Sequence, residues 1–166
     1  MMKKIVVAGG CFWGVEEYYR RCKGIVSTKV GYAQSDYEKP SYEIVKTGDT
    51  QAVEAVMVEY EEQTITLTKI LEHLFRMIDP TSLNKQKEDI GTQYRTGVYY
   101  ANNEDAQEII EYIDSRKKEY QNEIVVEVKQ LSNFYDAEEY HQEYLVKNPT
   151  GYCHVDFSLL KDDEKK

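Results

Sequence analysis

The order of its strand and helix patterns is the feature of this 166-residue chain that most restricts its fold. A strand, a helix and a strand follow one another twice, and then a further helix and strand occur. The predicted strands cover residues 5–8, 25–32, 52–60, 98–100 and 124–128, and the predicted helices cover residues 15–21, residues 67–78 and a segment from Asn103. This order predicts an α+β fold, an α/β two-layer sandwich with a ferredoxin-like split βαβ core and an added helix, strand and irregular C-terminal segment. We expect a single domain over residues 1–166.

Local signals refine this picture outside the regular patterns. Thr66 is the expected N-cap of the helix over residues 67–78. Residues 80–95 are polar and have no periodicity, which in a compact domain is typical of a functional or disordered loop. Residues 134–146 are rich in tyrosine and are predicted to be partly helical, whereas the charged tail beyond Leu160 is predicted to be frayed.

Residues 9–14, with the sequence GGCFWG, separate the first predicted strand from the first predicted helix. Cys11 therefore stands where unpaired backbone N–H groups are expected to point at its sulfur and to favour the nucleophilic thiolate. The glycines are expected to leave room for a reactant, and Phe12 and Trp13 place two apolar rings beside the sulfur. The segment indicates a reactive cysteine with an aromatic pocket. An anion site, or a tight corner around an inert cysteine, would also fit the hexapeptide alone.

Glu54 lies in the strand predicted over residues 52–60. Alternation puts its side chain on the same face as Val56, Val58 and Tyr60. A carboxyl group among apolar neighbours is expected to have a raised pKa and to hold a proton at neutral pH. The pattern by itself also fits a glutamate that reaches solvent.

Charge and cysteine content exclude several classes of protein. The formal net charge of −9 argues against a nucleic-acid-binding surface, and no basic run indicates a membrane partner. The first apolar run ends at Gly9, too early for a signal peptide or a membrane span, so we expect a cytoplasmic protein. Three scattered cysteines favour neither a disulfide scaffold nor a zinc site, and we expect no metal and no cofactor.

Five sequence blocks, in order along the chain, together resemble the A class of peptide methionine sulfoxide reductases. Their sequences are GCFWG, a segment from a tyrosine through GDT to a glutamate, DIGTQYR, YHQ followed by YL, and NP followed by GYC. They occupy residues 10–14, 42–54, 89–95, 140–145 and 148–153. The resemblance extends over nearly the whole chain, from about Ile5 to Cys153.

This resemblance implies thiol-dependent reduction of methionine sulfoxide, in proteins and as the free amino acid. Cys11 is the implied nucleophile that attacks the sulfoxide sulfur, and Glu54 is the implied acid that protonates the leaving oxygen. The hydroxyl groups of Tyr42 and Tyr94 would bind that oxygen. Asp89 corresponds to the acid that orders the site.

The resemblance also implies how substrate is held and how the enzyme is restored. Phe12 and Trp13 would hold the S-methyl group, and the S epimer would be the substrate. Reduction leaves a sulfenic acid on Cys11, which condenses with a second thiol, and Cys153 is the candidate resolving cysteine. Thioredoxin would then reduce the disulfide. We expect the enzyme to be a monomer.

Cys22 is closer to Cys11 in sequence but is a poor resolving cysteine. A helix between them would place the two sulfur atoms roughly 16 Å apart along its axis. A disulfide needs α-carbons within about 7 Å, so we expect Cys22 to be a packing residue.

The chain departs from the family pattern at three places. Ala52-Val53-Glu54 stands where the family commonly has His-Ala-Glu, and Lys87-Glu88 stands where it commonly has Gly-Asn. Both departures put the local shape in doubt. Many members carry a further cysteine in the tail, whereas none follows Cys153 here. Thioredoxin would therefore have to attack the Cys11–Cys153 disulfide itself.

Three other functions remain open at the level of sequence. A thiol peroxidase could use the same two cysteines. A Cys–His hydrolase is possible if His141 or His154 reaches Cys11 in space. A tyrosine-rich interaction module without activity would need no reactive thiol.

Overall fold

A computed structural model describes residues 2–166, and a six-stranded sheet forms its centre. The strands are β1 (Met2–Gly9), β2 (Ile25–Ala33), β3 (Val53–Glu61), β4 (Lys85–Gln86), β5 (Asp89–Ile90), β6 (Thr96–Tyr100), β7 (Glu127–Gln130) and β8 (Phe134–Asp136). The α-helices are α1 (Phe12–Arg20), α2 (Tyr42–Val45), α3 (Leu67–Met77), α4 (Asn103–Arg116) and α5 (Tyr144–Lys147). Short 3-10 helices cover Thr92–Tyr94, Lys117–Glu119, Glu139–His141, Phe157–Leu159 and Asp162–Glu164. Within residues 2–166, none of the helices has the length and hydropathy needed to cross a membrane.

The strand order of the sheet is β7-β6-β1-β3-β2-β8. Its four inner strands, β6-β1-β3-β2, are antiparallel neighbours and, with α1 and α3, form the predicted ferredoxin-like split βαβ core. The added helix and strand are α4 and β7, and β7 pairs parallel to β6 after the helical crossover. The predicted α+β fold class is confirmed.

Strand alternation divides the apolar residues between the two faces of the sheet. One face carries Ile5 and Val7 and packs under α1, α3 and α4, where the larger cluster of buried side chains lies. The opposite face carries Val6 and Ala8 in a smaller cluster, against which Leu131 packs. Thr66 caps α3 as predicted, because its hydroxyl accepts a hydrogen bond from the backbone N–H of Lys69 at 3.1 Å.

Two short elements differ from the sequence-based expectation. The last predicted strand begins at Glu127 rather than at residue 124, because the chain first has to cross from α4 to the edge of β6. The segment over residues 134–146 begins with β8, which pairs antiparallel with β2 and was not predicted. Only three residues of β8 are paired, too few to give a period-two pattern. Residues 80–95 are ordered around the β4–β5 hairpin.

The prediction of a frayed C-terminal tail is wrong. Glu164 accepts two hydrogen bonds from the Arg76 guanidinium, at 2.7 and 2.9 Å, and its carboxylate lies 2.7 Å from the Lys69 ammonium. Leu160 is buried in the main core, and Lys165 forms an isolated bridge with Cys22. The tail is ordered because its carboxylate faces two cations of α3, a complementarity that a local sequence window does not reveal.

We expect Glu164→Gln to lower the free energy of unfolding at pH 7 by roughly 1–3 kcal/mol, because it leaves the Arg76 and Lys69 cations without their carboxylate. Urea denaturation measures the difference. The ion pairs hold the pKa of Glu164 well below its usual range. The stabilisation is therefore present above the ordinary carboxyl pKa and is lost as the pH falls, so parent and variant should converge in acid. Asp162→Asn, in the same tail but fully exposed, is the control and should change stability little. Equal stability of parent and Glu164→Gln at pH 7 would contradict this account.

Candidate active site

Cys11 lies in the tight connection between β1 and α1 and is the N-cap residue of α1. The residue is 7 % exposed. The charges that act on its sulfur include those of Glu54 from β3 and Asp89 from β5, and Cys11 in turn acts on the hydroxyl groups of Tyr42 and Tyr94. The fold thus brings together one thiol, two carboxyl groups and two phenols from five separate segments of the chain.

The predicted preference of free Cys11 for the thiolate is wrong. Burial, followed by the negative charge of Glu54, raises the pKa of the Cys11 thiol well above its usual range. The backbone N–H of Trp13 does act on the sulfur and lowers its pKa, but by less. A second N–H of the helix start, that of Phe12, donates to Glu54 Oε1 at 3.3 Å. The backbone N–H groups at the start of α1 therefore bond to two different acidic groups, the Cys11 thiol and the Glu54 carboxyl. The resting thiol keeps its proton.

Glu54 has the raised pKa that its strand position predicts. The residue is 1 % exposed, and burial raises the pKa of its carboxyl to about 8, against the opposing effect of two hydrogen bonds. These bonds come from the Gln93 side-chain amide at 2.7 Å and from the Phe12 backbone. At neutral pH the carboxyl group is mostly protonated and can donate a proton within the site.

Tyr42 and Tyr94 present hydroxyl groups on the side of the site next to Glu54. Tyr94 hydrogen-bonds to Tyr42, and burial together with the charge of Glu54 raises the pKa of both phenols. Both phenols therefore keep their protons at neutral pH and can donate hydrogen bonds. Glu138 fixes the first turn of α2, because it accepts from the Tyr42 backbone N–H at 3.0 Å and from the Tyr32 hydroxyl at 2.7 Å.

An aromatic wall surrounds the two residues after Cys11. Trp13 stacks on Tyr144 with ring centroids 3.8 Å apart, and its indole N–H donates to His141 Nδ1 at 3.0 Å. Phe12 is buried between the rings of Tyr32 and His141. Trp13 is only partly buried, so its ring is the one of the pair that solvent reaches.

Cys153 lies in an irregular stretch over residues 152–156, as its turn-forming neighbours predict. Its thiol is half-buried, contacts the backbone of Val155 and acts electrostatically on Cys11. Tyr152, one residue earlier, donates its hydroxyl hydrogen bond to Asp89 Oδ2 at 3.0 Å. This stretch therefore belongs to the wall of the site.

The glycines around Cys11 do not open an approach to the sulfur, contrary to expectation. A Cβ atom added to Gly9 would lie 3.1 Å from the Ile78 side chain, and one added to Gly10 would lie 2.9 Å from the Gln86 side chain. Gly10 also has φ +90°, which disfavours other residues. The space that the missing side chains leave is filled by other parts of the chain.

Neither histidine forms a nucleophilic pair with Cys11. His141 Nδ1 accepts from Trp13, and His154 Nε2 is bonded to the Gly9 carbonyl oxygen at 2.8 Å. Burial lowers the pKa of both imidazoles, so both are neutral. The arrangement gives no support to a Cys–His hydrolase.

Cys22 is a buried packing residue, as predicted, and its thiol donates to the Tyr18 carbonyl at 3.3 Å. The resemblance implies turnover with thioredoxin, and we expect Cys22→Ala to retain that turnover in full and to lose roughly 1 kcal/mol of stability. Coupled oxidation of NADPH through thioredoxin reductase measures the turnover, and thermal unfolding provides the control for folding. Loss of turnover in a folded Cys22→Ala protein would give Cys22 a role in recycling.

Sequence reasoning missed four residues that hold the site together: Gln93, Glu138, His141 as the partner of Trp13, and Tyr152. Three of them stand inside the sequence blocks that carry the family resemblance. Their place in those blocks was the signal that could have identified them. Glu138 stands outside every block. Its two contacts are to Tyr42 and Tyr32, which precede it in the chain by 96 and 106 positions.

This chain is similar over nearly its whole length to proteins of known class. A family model described as peptide methionine sulfoxide reductase matches residues 3–166. The chain is 54 % identical over 154 residues to the peptide methionine sulfoxide reductase MsrA of Clostridium perfringens, covering 93 % of this chain and 98 % of the relative. Reduced Mxr1 from Saccharomyces cerevisiae matches with a TM-score of 0.87 and 40 % identity, over 93 % and 91 % of the two chains. Mxr1 in complex with Trx2 matches with a TM-score of 0.62 and 30 % identity, over 86 % and 84 %.

Proposed function

This chain belongs to the peptide methionine sulfoxide reductase family and is an MsrA-type oxidoreductase, and we propose that Cys11, Glu54 and Cys153 carry its reaction. The substrate is the S epimer of methionine sulfoxide, in proteins and as the free amino acid. The observation that carries the proposal is the buried Cys11 thiol beside the mostly protonated Glu54 carboxyl, with two phenol donors next to them.

The first step moves one oxygen atom from the methionine sulfur to the Cys11 sulfur. Glu54 gives its proton to the sulfoxide oxygen, and the Cys11 sulfur attacks the sulfoxide sulfur to form an S–S bond while its own proton passes to the Glu54 carboxylate. That bond then breaks as the protonated oxygen passes from the methionine sulfur to the Cys11 sulfur. The hydroxyls of Tyr42 and Tyr94 bind the oxygen as it takes up charge. A thiol and a sulfoxide become a sulfenic acid and a thioether. The raised pKa of Cys11 favours this coupled proton movement, because a free thiolate beside a carboxylate is disfavoured.

The S-methyl group has no polar atom and needs an apolar surface. We assign it to the partly exposed ring of Trp13, with the buried Phe12 next to it. The stacking of Trp13 on Tyr144 and its bond to His141 hold the indole in one orientation. Asp89 orders the mouth of the site through its bond with Tyr152.

Recycling uses Cys153 and an external reductant. The Cys153 sulfur attacks the Cys11 sulfur, the S–O bond breaks, and hydroxide leaves with the Cys153 proton as water. Thioredoxin then reduces the Cys11–Cys153 disulfide; the complex of the relative Mxr1 with Trx2 supports this choice of donor. We propose a cytoplasmic monomer, because one chain supplies every reacting group and three scattered cysteines suit a reducing compartment.

Separated epimers of methionine sulfoxide test the proposal. With thioredoxin as donor, we expect turnover of the S epimer and none of the R epimer, in a peptide and as the free amino acid. Equal turnover of both epimers would contradict the assignment, because each epimer has its own enzyme type. Hydrogen peroxide without sulfoxide serves as the control for peroxidase activity.

Replacement of Cys153 should separate reduction from recycling. We expect Cys153→Ser to reduce about one sulfoxide per enzyme and then to stop with thioredoxin as donor, because the Cys11 sulfenic acid has no partner. A small dithiol should restore part of the turnover. Methionine formed per enzyme is measured by chromatography, with Cys22→Ser as the matched control. Continued thioredoxin-dependent turnover in Cys153→Ser would remove Cys153 from the cycle.

A further inference from the structure

The resolving cysteine and the residue after it contact the two ends of the Cys11 loop, residues 9–14. His154 Nε2 lies 2.8 Å from the carbonyl oxygen of Gly9, at the start of the loop. At its other end, Cys153 Sγ occupies the space beside Gly14, where an added Cβ would lie 2.7 Å from the sulfur. The loop is thus in contact with two successive residues of the C-terminal segment.

The His154 contact fixes the tautomer of the imidazole. A carbonyl oxygen only accepts hydrogen bonds, so Nε2 of His154 carries the hydrogen. Its Nδ1 atom is buried and has no hydrogen-bond partner within residues 2–166. A buried nitrogen without a partner costs free energy, so an apolar residue would fill this space with less loss of stability. The presence of a histidine at position 154 is better explained by its one hydrogen bond, which Nε2 donates to the Gly9 carbonyl oxygen.

The position of Gly14 places the two reacting cysteines close together before any movement. Cys11 is the N-cap residue of α1, Gly14 lies in the first turn of that helix, and Cys153 acts electrostatically on the Cys11 sulfur. The Cys153 sulfur lies next to the missing Cβ of Gly14. Residues 152 and 153 would therefore have to carry this sulfur to Cys11 while the chain at His154 stays in place.

We propose that His154 is a positioning residue for the recycling step. Its Nε2–H bond to Gly9 holds the chain directly after Cys153 against the base of the Cys11 loop, while Gly14 leaves the space in which the Cys153 sulfur waits. When the Cys11 sulfenic acid forms, Cys153 attacks it, an S–S bond replaces the S–O bond, and water leaves. This inference rests on the proposed function, in which Cys153 is the resolving cysteine.

The experiment measures the two steps separately in one mixture. Reduced enzyme without external reductant is mixed with a peptide carrying S-methionine sulfoxide and is quenched at intervals with acid. Methionine formed reports the first step, and the Cys11–Cys153 linked peptide, detected by mass, reports the second. The variants are His154→Leu, His154→Asn and His154→Gln. The glutamine amide nitrogen is as many bonds from Cα as Nε2 of histidine, whereas the asparagine amide is one bond shorter.

We expect an unchanged first step in all three variants. Disulfide formation should be roughly ten-fold slower in His154→Leu and His154→Asn, since one buried hydrogen bond is lost. It should return close to the parent rate in His154→Gln. His73→Gln, at a buried histidine of α3 bonded to Tyr18 of α1, is the control for general loosening and should leave both steps unchanged.

Other outcomes overturn the proposal. Disulfide formation at or above the parent rate in all three variants would show that His154 does not position Cys153. If both steps slow equally, and in proportion to the loss of thermal stability, the role of His154 is structural only. If His154→Leu does not fold, the comparison of asparagine with glutamine decides. A parent enzyme that forms no Cys11–Cys153 disulfide would instead contradict the proposed function.

Discussion

Cys11→Ser should abolish reduction of methionine sulfoxide completely, including the single stoichiometric turnover that needs no recycling. The serine hydroxyl is nearly the same size as the thiol, but an oxygen at this position cannot accept the sulfoxide oxygen as sulfur does. Methionine formed per enzyme, measured with excess sulfoxide and a small dithiol, should fall below detection.

Two comparisons make the Cys11→Ser result specific. Cys22→Ser, at a buried cysteine outside the site, should retain the single turnover. Thermal unfolding should show that Cys11→Ser is folded, because the replacement changes neither volume nor the surrounding hydrogen bonds greatly. A single turnover near that of the parent would exclude Cys11 as the attacking group.

Glu54→Gln should slow the reductive step by roughly 10²–10⁴-fold. The amide keeps the shape of the carboxyl group and can still contact the Phe12 backbone and Gln93, but it has no proton to give to the sulfoxide oxygen. Single-turnover formation of methionine is the measurement. Glu59→Gln, on the same strand near the surface, is the matched control and should react at the parent rate. An unchanged rate in Glu54→Gln would remove this carboxyl from the mechanism.

The pH dependence of the parent gives a second test of Glu54. Because burial raises the pKa of the carboxyl to about 8, the protonated form predominates below that pH and disappears above it. The single-turnover rate should therefore be constant near neutrality and should fall as the pH rises through about 8. The Glu54→Gln variant should lack this fall. A rate that rises through the same range would indicate that deprotonation of Cys11 limits the step instead.

Some features of this protein are determined by short stretches of its sequence. The order of strands and helices follows from apolar periodicity within single segments, so the ferredoxin-like core and the α4–β7 addition could be predicted. The Thr66 cap and the apolar face around Glu54 are local in the same sense, because each depends on residues only a few positions apart.

Other features depend on residues that meet only in the folded chain. Cys11 keeps its proton because it is buried and because Glu54 lies beside it. The Glu54 carboxyl accepts a hydrogen bond from the backbone N–H of Phe12, which is 42 residues earlier in the chain. The ordered tail depends on Glu164 meeting cations of α3, and β8 depends on the free edge of β2. Pairing, burial and charge act between segments, so the tertiary structure alone decides the protonation of the nucleophile, whereas periodicity within segments had already determined the fold.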